Sequence, residues 1–339
     1  MSGETRTHGR HRLRGAQGWV VVAALAALAP FYLTEIELFS ASRIVILALW
    51  AVSLNLLLGQ TGLVSFAHAA YYGIGAYTVT LAWKHFDLSP LVGLPLALVV
   101  GAVVSLITGV IALRAVRLYF ALLTLAISQL LYVVAFEWYG VTGGDNGIHG
   151  IGVPAFLEST VNAYWFVLAV AAAGIAALAV ICRSPFGAAL VAIRENRVRA
   201  AFIGINVKRH ELAAFTLAGT FAALAGALFA IFNREAYPDL MFWTASSTPI
   251  FVVLIGGMYR FGGPVLGAVV LVLLEEAITR RTLYSDLVLG LVLLAIVLLA
   301  PGGLTEIGAR IRARVRRRRP GPEAEPERDA GALRVGAPS

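Results

Sequence analysis

Apolar residues fill this chain in runs of about twenty, broken by glycine, proline and arginine rather than by the polar alternation of a half-buried strand. A run of that length is what an α-helix needs to cross the hydrocarbon core of a bilayer. Such runs occupy 18–34, 42–58, 61–83, 90–112, 117–138, 162–182, 209–232, 246–259, 262–280 and 284–300. The pattern predicts an all-α, polytopic membrane protein of about ten transmembrane helices. The run 246–259 is short for a full crossing, and Gly256, Gly257, Gly262 and Gly263 suit a half-helix joined to the next span. The run 18–34 follows basic residues as in a signal peptide, but it lacks a small-residue cleavage site and is expected to be a retained helix.

Composition agrees and adds sidedness. Of 339 residues, 59% are hydrophobic and 14% charged, with a mean hydropathy of +0.81, too little polar surface to clothe a soluble globule. The net charge of +8 sits mainly in three clusters: "RTHGRHRLR" near the N-terminus, "RENRVR" (194–199) with Lys208 and Arg209, and "ARIRARVRRRR" (309–319). Basic clusters beside apolar runs mark cytoplasmic ends in contact with anionic membrane lipid, not a nucleic-acid-binding face. An even number of crossings puts both tails and the 183–208 loop in the cytoplasm, and Trp83, Trp138, Trp165 and Trp243 at outer ends. The expected organisation is a basic cytoplasmic segment 1–17, a transmembrane domain 18–305 and a tail 306–339, first basic and then disordered.

One stretch reads badly as a plain span. "GQTGLVSFAHAAYYGIGAYT" (59–78) carries Gln60, Thr61, Ser65 and His68, and is loosened by Gly73 and Gly75. Backbone and side-chain polar groups must be satisfied in hydrocarbon, so the stretch is expected to face protein or a water-filled path. Gly73, Gly75 and Ala76 suit close helix packing. Ser65 and His68, three apart on one helical face, are either a satisfied polar pair or part of a pathway. With Thr124, Ser128 and Gln129, also polar at membrane depth, they are the candidate pathway residues; hydrogen bonding between helices is the standing alternative.

Catalytic chemistry finds little support. Ser65 and His68 have no third orienting acid nearby, unlike a serine protease site. "RHELAAF" (209–215) fails the HExxH metal motif because Ala214 stands where the second histidine belongs. There is no GxxxxGK[ST] loop, the only lysines are Lys84 and Lys208, and the one cysteine, Cys182, allows neither an intrachain disulfide nor a cysteine metal cluster. No enzyme activity, metal or cofactor is expected of this chain.

The loop "CRSPFGAALVAIRENRVRAAFIGINVKRH" (182–210) breaks at Ser-Pro, continues in helix formers and breaks again at Gly204. It is expected to form a short amphipathic helix on the cytoplasmic face, with Gly204 at positive φ. Ala200, Phe202, Ile203 and Ile205 give it an apolar set that a solvated loop would not need, so it is either such a loop or a docking element for a cytosolic partner.

Six stretches now stand in register: "NLLLGQTGLVSFAHAAYYGIGAYT", "YFALLTLAISQLL", "VTGGDNGI", "SPFGAALVAIRENRVRAAFIGINVKRHELAAFTLAGTFAALAGALFA", "VVLIGGMYRFGGPVLGAVVL" and "APGGL". In these, over about residues 40–305, the chain resembles the LivM-type permeases of branched-chain amino acid ABC importers. The resemblance implies a binding-protein-dependent ABC importer permease fold in the bacterial cytoplasmic membrane, with both termini cytoplasmic. It implies as partners a second, related permease, two cytosolic ATP-binding subunits that use the ATP, and an extracytoplasmic substrate-binding protein. It also implies that 186–205 is the coupling helix, with Arg194, Glu195, Ala200, Phe202, Ile203, Gly204, Ile205 and Asn206 as the ATPase-coupling residues. Gly143, Gly144, Asn146 and Gly147, in the outer loop "TGGDNG", form either a docking surface or a plain tight turn. Arg197, Arg199 and Ala201 depart from the family, which is usually more acidic before its Gly-Ile-Asn.

The expected function is ATP-driven import of branched-chain or related neutral amino acids by alternating access. The rival is a stand-alone carrier or channel for a small polar solute such as urea or a short amide. A carrier would want ionisable residues at mid-membrane. The candidates are His68, Glu275 and Glu276, and the two glutamates are expected to pair with Arg280 near the interface.

Overall fold

The computed structural model describes residues 26–115, 118–282, 284–299 and 302–306. The basic N-terminal segment, residues 18–25 of the 18–34 run and nearly all of the 306–339 tail lie outside the described residues. Among the described residues the chain is helical almost throughout. Its α-helices of six or more residues are α1 (Glu35–Asn55), α2 (His68–Phe86), α3 (Pro90–Ala112), α4 (Leu118–Glu137), α5 (Thr160–Arg183), α6 (Pro185–Glu195), α7 (Arg197–Phe202), α8 (Val207–Asn233), α9 (Ser247–Gly256), α10 (Gly263–Thr279) and α11 (Ser285–Leu299). Among the described residues, five helices are long and apolar enough to cross a membrane: α1 with the turn that follows it, α3, α4, α5 and α8. The short run 246–259 forms a helix of 10 residues, as its length predicted.

The run expected at 61–83 does not begin as a helix. α1 continues past Asn55 as a π-helical turn, Leu56–Thr61, which ends at Gly62 in the left-handed region (φ 77°). Residues 62–67 are irregular, and α2 starts only at His68. Ser65 and His68 therefore do not share a helical face, contrary to their spacing, because Ser65 lies in the break.

The bundle is built around α8, which packs against α2 and α3. A Cβ placed on Gly75 would strike the carbonyl of Ala223, and one on Gly226 the carbonyl of Tyr72. The two backbones touch there, and close approach replaces the apolar driving force that lipid cannot supply. Outward-facing Val99, Ile107, Leu130 and Leu298 give the bundle the apolar surface that hydrocarbon requires.

Contacts sort the helix ends into two faces. On one, β1 (Ile148–His149) pairs antiparallel with β2 (Glu235–Ala236), Phe39 meets Phe232 at 5.2 Å, and Arg43 meets Glu275 at 3.0 Å. On the other, α6 lies beside the π-helical turn Leu56–Thr61, α7 packs on α6 and α8, and Phe186 stacks on His210 at 5.6 Å. The first is called here the strand-pair end and the second the α6–α7 end. Glu275 thus pairs with Arg43 of α1 rather than with Arg280, and Glu276 accepts a hydrogen bond from Ser40. Helix-to-helix proximity decides this pairing, whereas the sequence offered only a neighbour along one helix.

Candidate functional site

The polar residues of the 59–78 stretch converge on the break. Phe66 N–H donates to Thr124 Oγ1 at 3.1 Å, while Thr124 donates to the Ala121 carbonyl at 2.8 Å. Ser246 Oγ donates to the Phe66 carbonyl at 2.6 Å and accepts from Ala69 N–H at 2.9 Å. Ser65 Oγ accepts from Ala67 N–H at 3.3 Å, and the Trp50 indole donates to the His68 carbonyl at 3.4 Å. An interrupted helix exposes backbone groups that hydrocarbon cannot serve, and these side chains serve them. Ser65 and Thr124 are thus placed as backbone partners. Ser128, also buried, donates to the Met241 carbonyl at 2.9 Å, which ties α4 to the 238–241 turn. Gln129 is only partly buried, and its Oε1 has no hydrogen-bond partner among the described residues.

His68 has a different partner from the one its spacing suggested. Its Nε2 lies 2.9 Å from Ser53 Oγ, and that hydroxyl gives its one proton to the Trp50 carbonyl at 2.6 Å. Ser53 can then only accept from His68, which places a proton on Nε2 and leaves Nδ1 buried with no partner among the described residues. Trp50 in turn stacks on Tyr72 at 4.2 Å. Ser53, Trp50 and Tyr72 were missed from the sequence, although "WAVSLN" (50–55) carried the signal of polar residues inside an apolar run.

Two cavities flank this cluster. One, of about 880 Å³ at the α6–α7 end, is lined by Thr61, Gly62, Phe66, Leu118, Arg194 and Glu211 among others. The other, of about 480 Å³ at the strand-pair end, reaches Trp50 and Tyr72. Along α1 and its continuation the second cavity stops at Trp50 and the first begins at Thr61, so the fully buried Ser53 and His68 occupy the stretch between them.

The 183–208 segment is two helices rather than one. Asn196 separates them, its side chain accepting from Arg199 N–H at 2.9 Å to start α7. α7 ends as a helix that needs a glycine would: Gly204 has φ 90°, Gly204 N–H reaches the Ala201 carbonyl at 3.0 Å, and Ile205 N–H reaches the Ala200 carbonyl at 3.1 Å. This cap splits the expected apolar set. Ala200 is 2% exposed and Ile205 partly buried, whereas Phe202 and Ile203 stand out at 87% and 70%. Asn206 caps α8, accepting from Arg209 N–H at 3.1 Å.

Arg194 turns inward, donating to the Gly59 carbonyl of the π-helical turn with its guanidinium 5.2 Å from the Tyr259 ring centre. Arg197 pairs at 2.7 Å with Glu211, which is 2% exposed. Glu195 is exposed and lines the larger cavity. The segment is therefore clamped to the bundle by Arg194 and by Arg197, one of the family departures.

At the strand-pair end, Gly143, Gly144 and Gly147 have φ of 84°, 61° and 71°, a tight turn leading into β1. The Asn146 carbonyl accepts from His149 Nε2 at 2.6 Å, and its side chain is exposed. Among the described residues no group of three histidine, cysteine or acidic side chains is placed to hold a metal ion.

The model of the family described as branched-chain amino acid transport system / permease component matches residues 37–297. The chain belongs to this family. It is 27% identical over 312 residues to the high-affinity branched-chain amino acid transport system permease protein LivM of Salmonella typhimurium, covering 84% of this chain and 73% of that one. A probable branched-chain amino acid transport permease protein LivH of Methanocaldococcus jannaschii is 27% identical, over 77% of this chain and 89% of its own. The autoinducer 2 import system permease protein LsrC of Klebsiella pneumoniae is 30% identical over 48% of this chain and 49% of its own. No solved structure gives a significant match. The chain is thus a polytopic permease of LivM type, an integral membrane transporter subunit and not itself an enzyme.

Proposed function

We propose that this permease forms the membrane path of an ATP-driven importer for branched-chain or related neutral amino acids, in a bacterial cytoplasmic membrane with the α6–α7 end inside. The observation that carries it is the pair of cavities at opposite ends of the bundle, closed from one another by the buried Ser53 and His68. A protein that exposes its substrate to one side at a time needs two such vestibules and a closure between them. Deep breaks in helices are a recurring transporter device for this. The relatives' names supply the substrate class.

In this mechanism the chain binds no cofactor, and ATP is used by two cytosolic subunits. Phe202 and Ile203 form the knob that docks on one of them, Gly204 sets its angle, and Arg194 carries its movement to the π-helical turn. A second, related permease completes the membrane unit, and an extracytoplasmic binding protein delivers substrate at the strand-pair end, where the 142–147 turn lies. Ser65 and Thr124 hold the break in shape, Ser128 ties α4 to the 238–241 turn, and His68 and Gln129, each with an unpartnered atom, are the pathway candidates.

The test is reconstitution. Proteoliposomes holding this chain with its partner subunits should take up labelled leucine only when ATP is hydrolysed. Uptake by this chain alone, driven by an ion gradient, would instead establish a secondary carrier.

A further inference from the structure

The 480 Å³ cavity at the strand-pair end has a volume ordinary for a small-molecule site. Its floor is apolar and aromatic, with Ile46, Leu47 and Leu240 beside the stacked Trp50 and Tyr72. Its rim is charged and of mixed sign, with Arg43 from α1 facing Glu235 and Asp239 from the other side. Arg43 meets Glu275 through Nη2 alone, so Nε and Nη1 keep N–H donors with no partner among the described residues. Glu235 is taken by His149 at 3.2 Å, but Asp239 has neither an ion pair nor a side-chain hydrogen bond among the described residues. Burial, and then the carboxylates of Glu235 and Asp239, push the Tyr237 phenol up while Arg43 pulls it down, so these charges converge on one place.

We propose that this cavity is the site where the permease receives a zwitterionic amino acid with an apolar side chain, its carboxylate on Arg43, its ammonium on Asp239, and its side chain on the Ile46–Leu47–Leu240 wall. With Nη2 taken by Glu275, the ligand carboxylate takes one charge-assisted hydrogen bond, from Nη1 or Nε, and the attraction of the guanidinium charge. A lone anion would meet two carboxylates here, and a lone cation the guanidinium. An uncharged solute would leave Arg43 and Asp239 to lose water without compensation. Only a ligand carrying both charges and an apolar body uses the whole lining. The assignment rests on the importer function proposed above, and it places substrate contact on this chain itself, one step before the Trp50–Tyr72 stack and the buried Ser53–His68 pair.

The experiment is equilibrium binding of three probes to the full-length chain in lipid nanodiscs, alongside ATP-driven leucine uptake by the assembled importer. The probes are L-leucine, leucinamide, which lacks the carboxylate, and N-acetylleucine, which lacks the ammonium. The parent should prefer leucine to both by about tenfold or more. Arg43→Gln should weaken leucine about tenfold and leave leucinamide nearly unchanged, and Asp239→Asn should do the same for leucine while sparing N-acetylleucine. Arg43→Lys keeps the charge opposite Glu275 and so keeps the fold, yet it should still weaken leucine because one compact ammonium replaces the separate N–H groups that reach Glu275 and the ligand. Asp239 has no partner to lose, so its variant separates binding from folding. If the parent binds all three probes alike, or if Arg43→Lys and Asp239→Asn bind leucine as the parent does, the site is wrong even where uptake persists. If the unaltered importer takes up no neutral amino acid under ATP, the functional proposal fails, and this assignment with it.

Discussion

The break at 62–67 and the break at 203–206 both turn the chain between helices, yet the first draws partners for Phe66 from across the bundle as well as local ones, and the second relies on its own neighbours. Phe66 is served by Thr124, 58 positions away, and by Ser246, 180 positions away. Gly204 and Ile205 are served by Ala201 and Ala200, and the flanking helices are started by Asn196 and Asn206. Water explains the contrast. A break at membrane depth must find protein partners wherever the fold provides them, whereas a break at the surface needs only a local cap. The consequence for function is that the deep break joins α1, α2, α4 and the start of α9 into one unit, while the surface break holds its own shape and presents Phe202 and Ile203.

The largest effect on folding is expected where the deep break loses its doubly used partner. Ser246→Ala leaves the Phe66 carbonyl and the Ala69 N–H buried and unpaired, at about 1–3 kcal/mol each. Its thermal unfolding in detergent should move well below the parent's. Ser247→Ala removes an exposed hydroxyl bonded only to the nearby Thr244 carbonyl, and should stay within about 0.5 kcal/mol. Equal unfolding of the two variants would remove the distinction between the breaks.

Arg194 connects the two regions, because it sits at the end of α6 and donates to Gly59 in the turn that enters the deep break. Arg194→Ala should lower ATP-driven uptake roughly tenfold, a typical size for coupling between sites, while partner subunits still co-purify. The readout is the ratio of uptake to ATP hydrolysis. A ratio equal to the parent's would show that the α6–α7 segment moves the break by some other route.

How much of this was legible in the sequence follows the same division. Most of the helices, the half-length helix after Ser246, the positive φ of Gly204 and the small-residue packing at Gly75 could be read from runs, breakers and spacing along the chain, but not the break before His68 or the split at Asn196. The partners could not. Ser65 with His68, and Glu275 and Glu276 with Arg280, were pairings between sequence neighbours, and the fold replaced them with Ser53 for His68, Arg43 for Glu275 and Ser40 for Glu276. Likewise the apolar set in the 183–208 segment came apart because the turn that caps α7 leaves Ala200 buried and Ile205 partly buried while Phe202 and Ile203 stand out. Which side chain meets which across a bundle depends on helix packing, and one sequence does not record it.

A smaller loss is expected at the surface break's own start. Asn196→Ala removes the side chain that accepts from Arg199 N–H, at about 1 kcal/mol for a lost N-cap. α7 has only 6 residues, so the loss should appear as faster hydrogen exchange confined to 197–205, with the global unfolding midpoint nearly unmoved. Exchange that also quickens at 62–70 would mean that the two breaks form one cooperative unit.

The smallest effect on the chain itself should come from Phe202→Asp and Ile203→Asp. Both side chains stand in the open at the end of α7, so a carboxylate there costs nothing in desolvation while the protein is alone, and stability should stay within about 0.5 kcal/mol of the parent. In a complex the same carboxylate would be buried against an apolar pocket with no partner, which is costly. Co-purification with the cytosolic ATP-binding subunits should therefore fall sharply, and uptake with it, in variants that are inserted and folded like the parent. Gly204→Val separates contact from angle, because no atom lies within 4 Å of the new Cβ and its only obstacle is the positive φ. It should weaken assembly even though Phe202 and Ile203 are intact. If all three variants assemble and transport as the parent does, the surface break is a solvated connector, and the deep break must be driven from elsewhere.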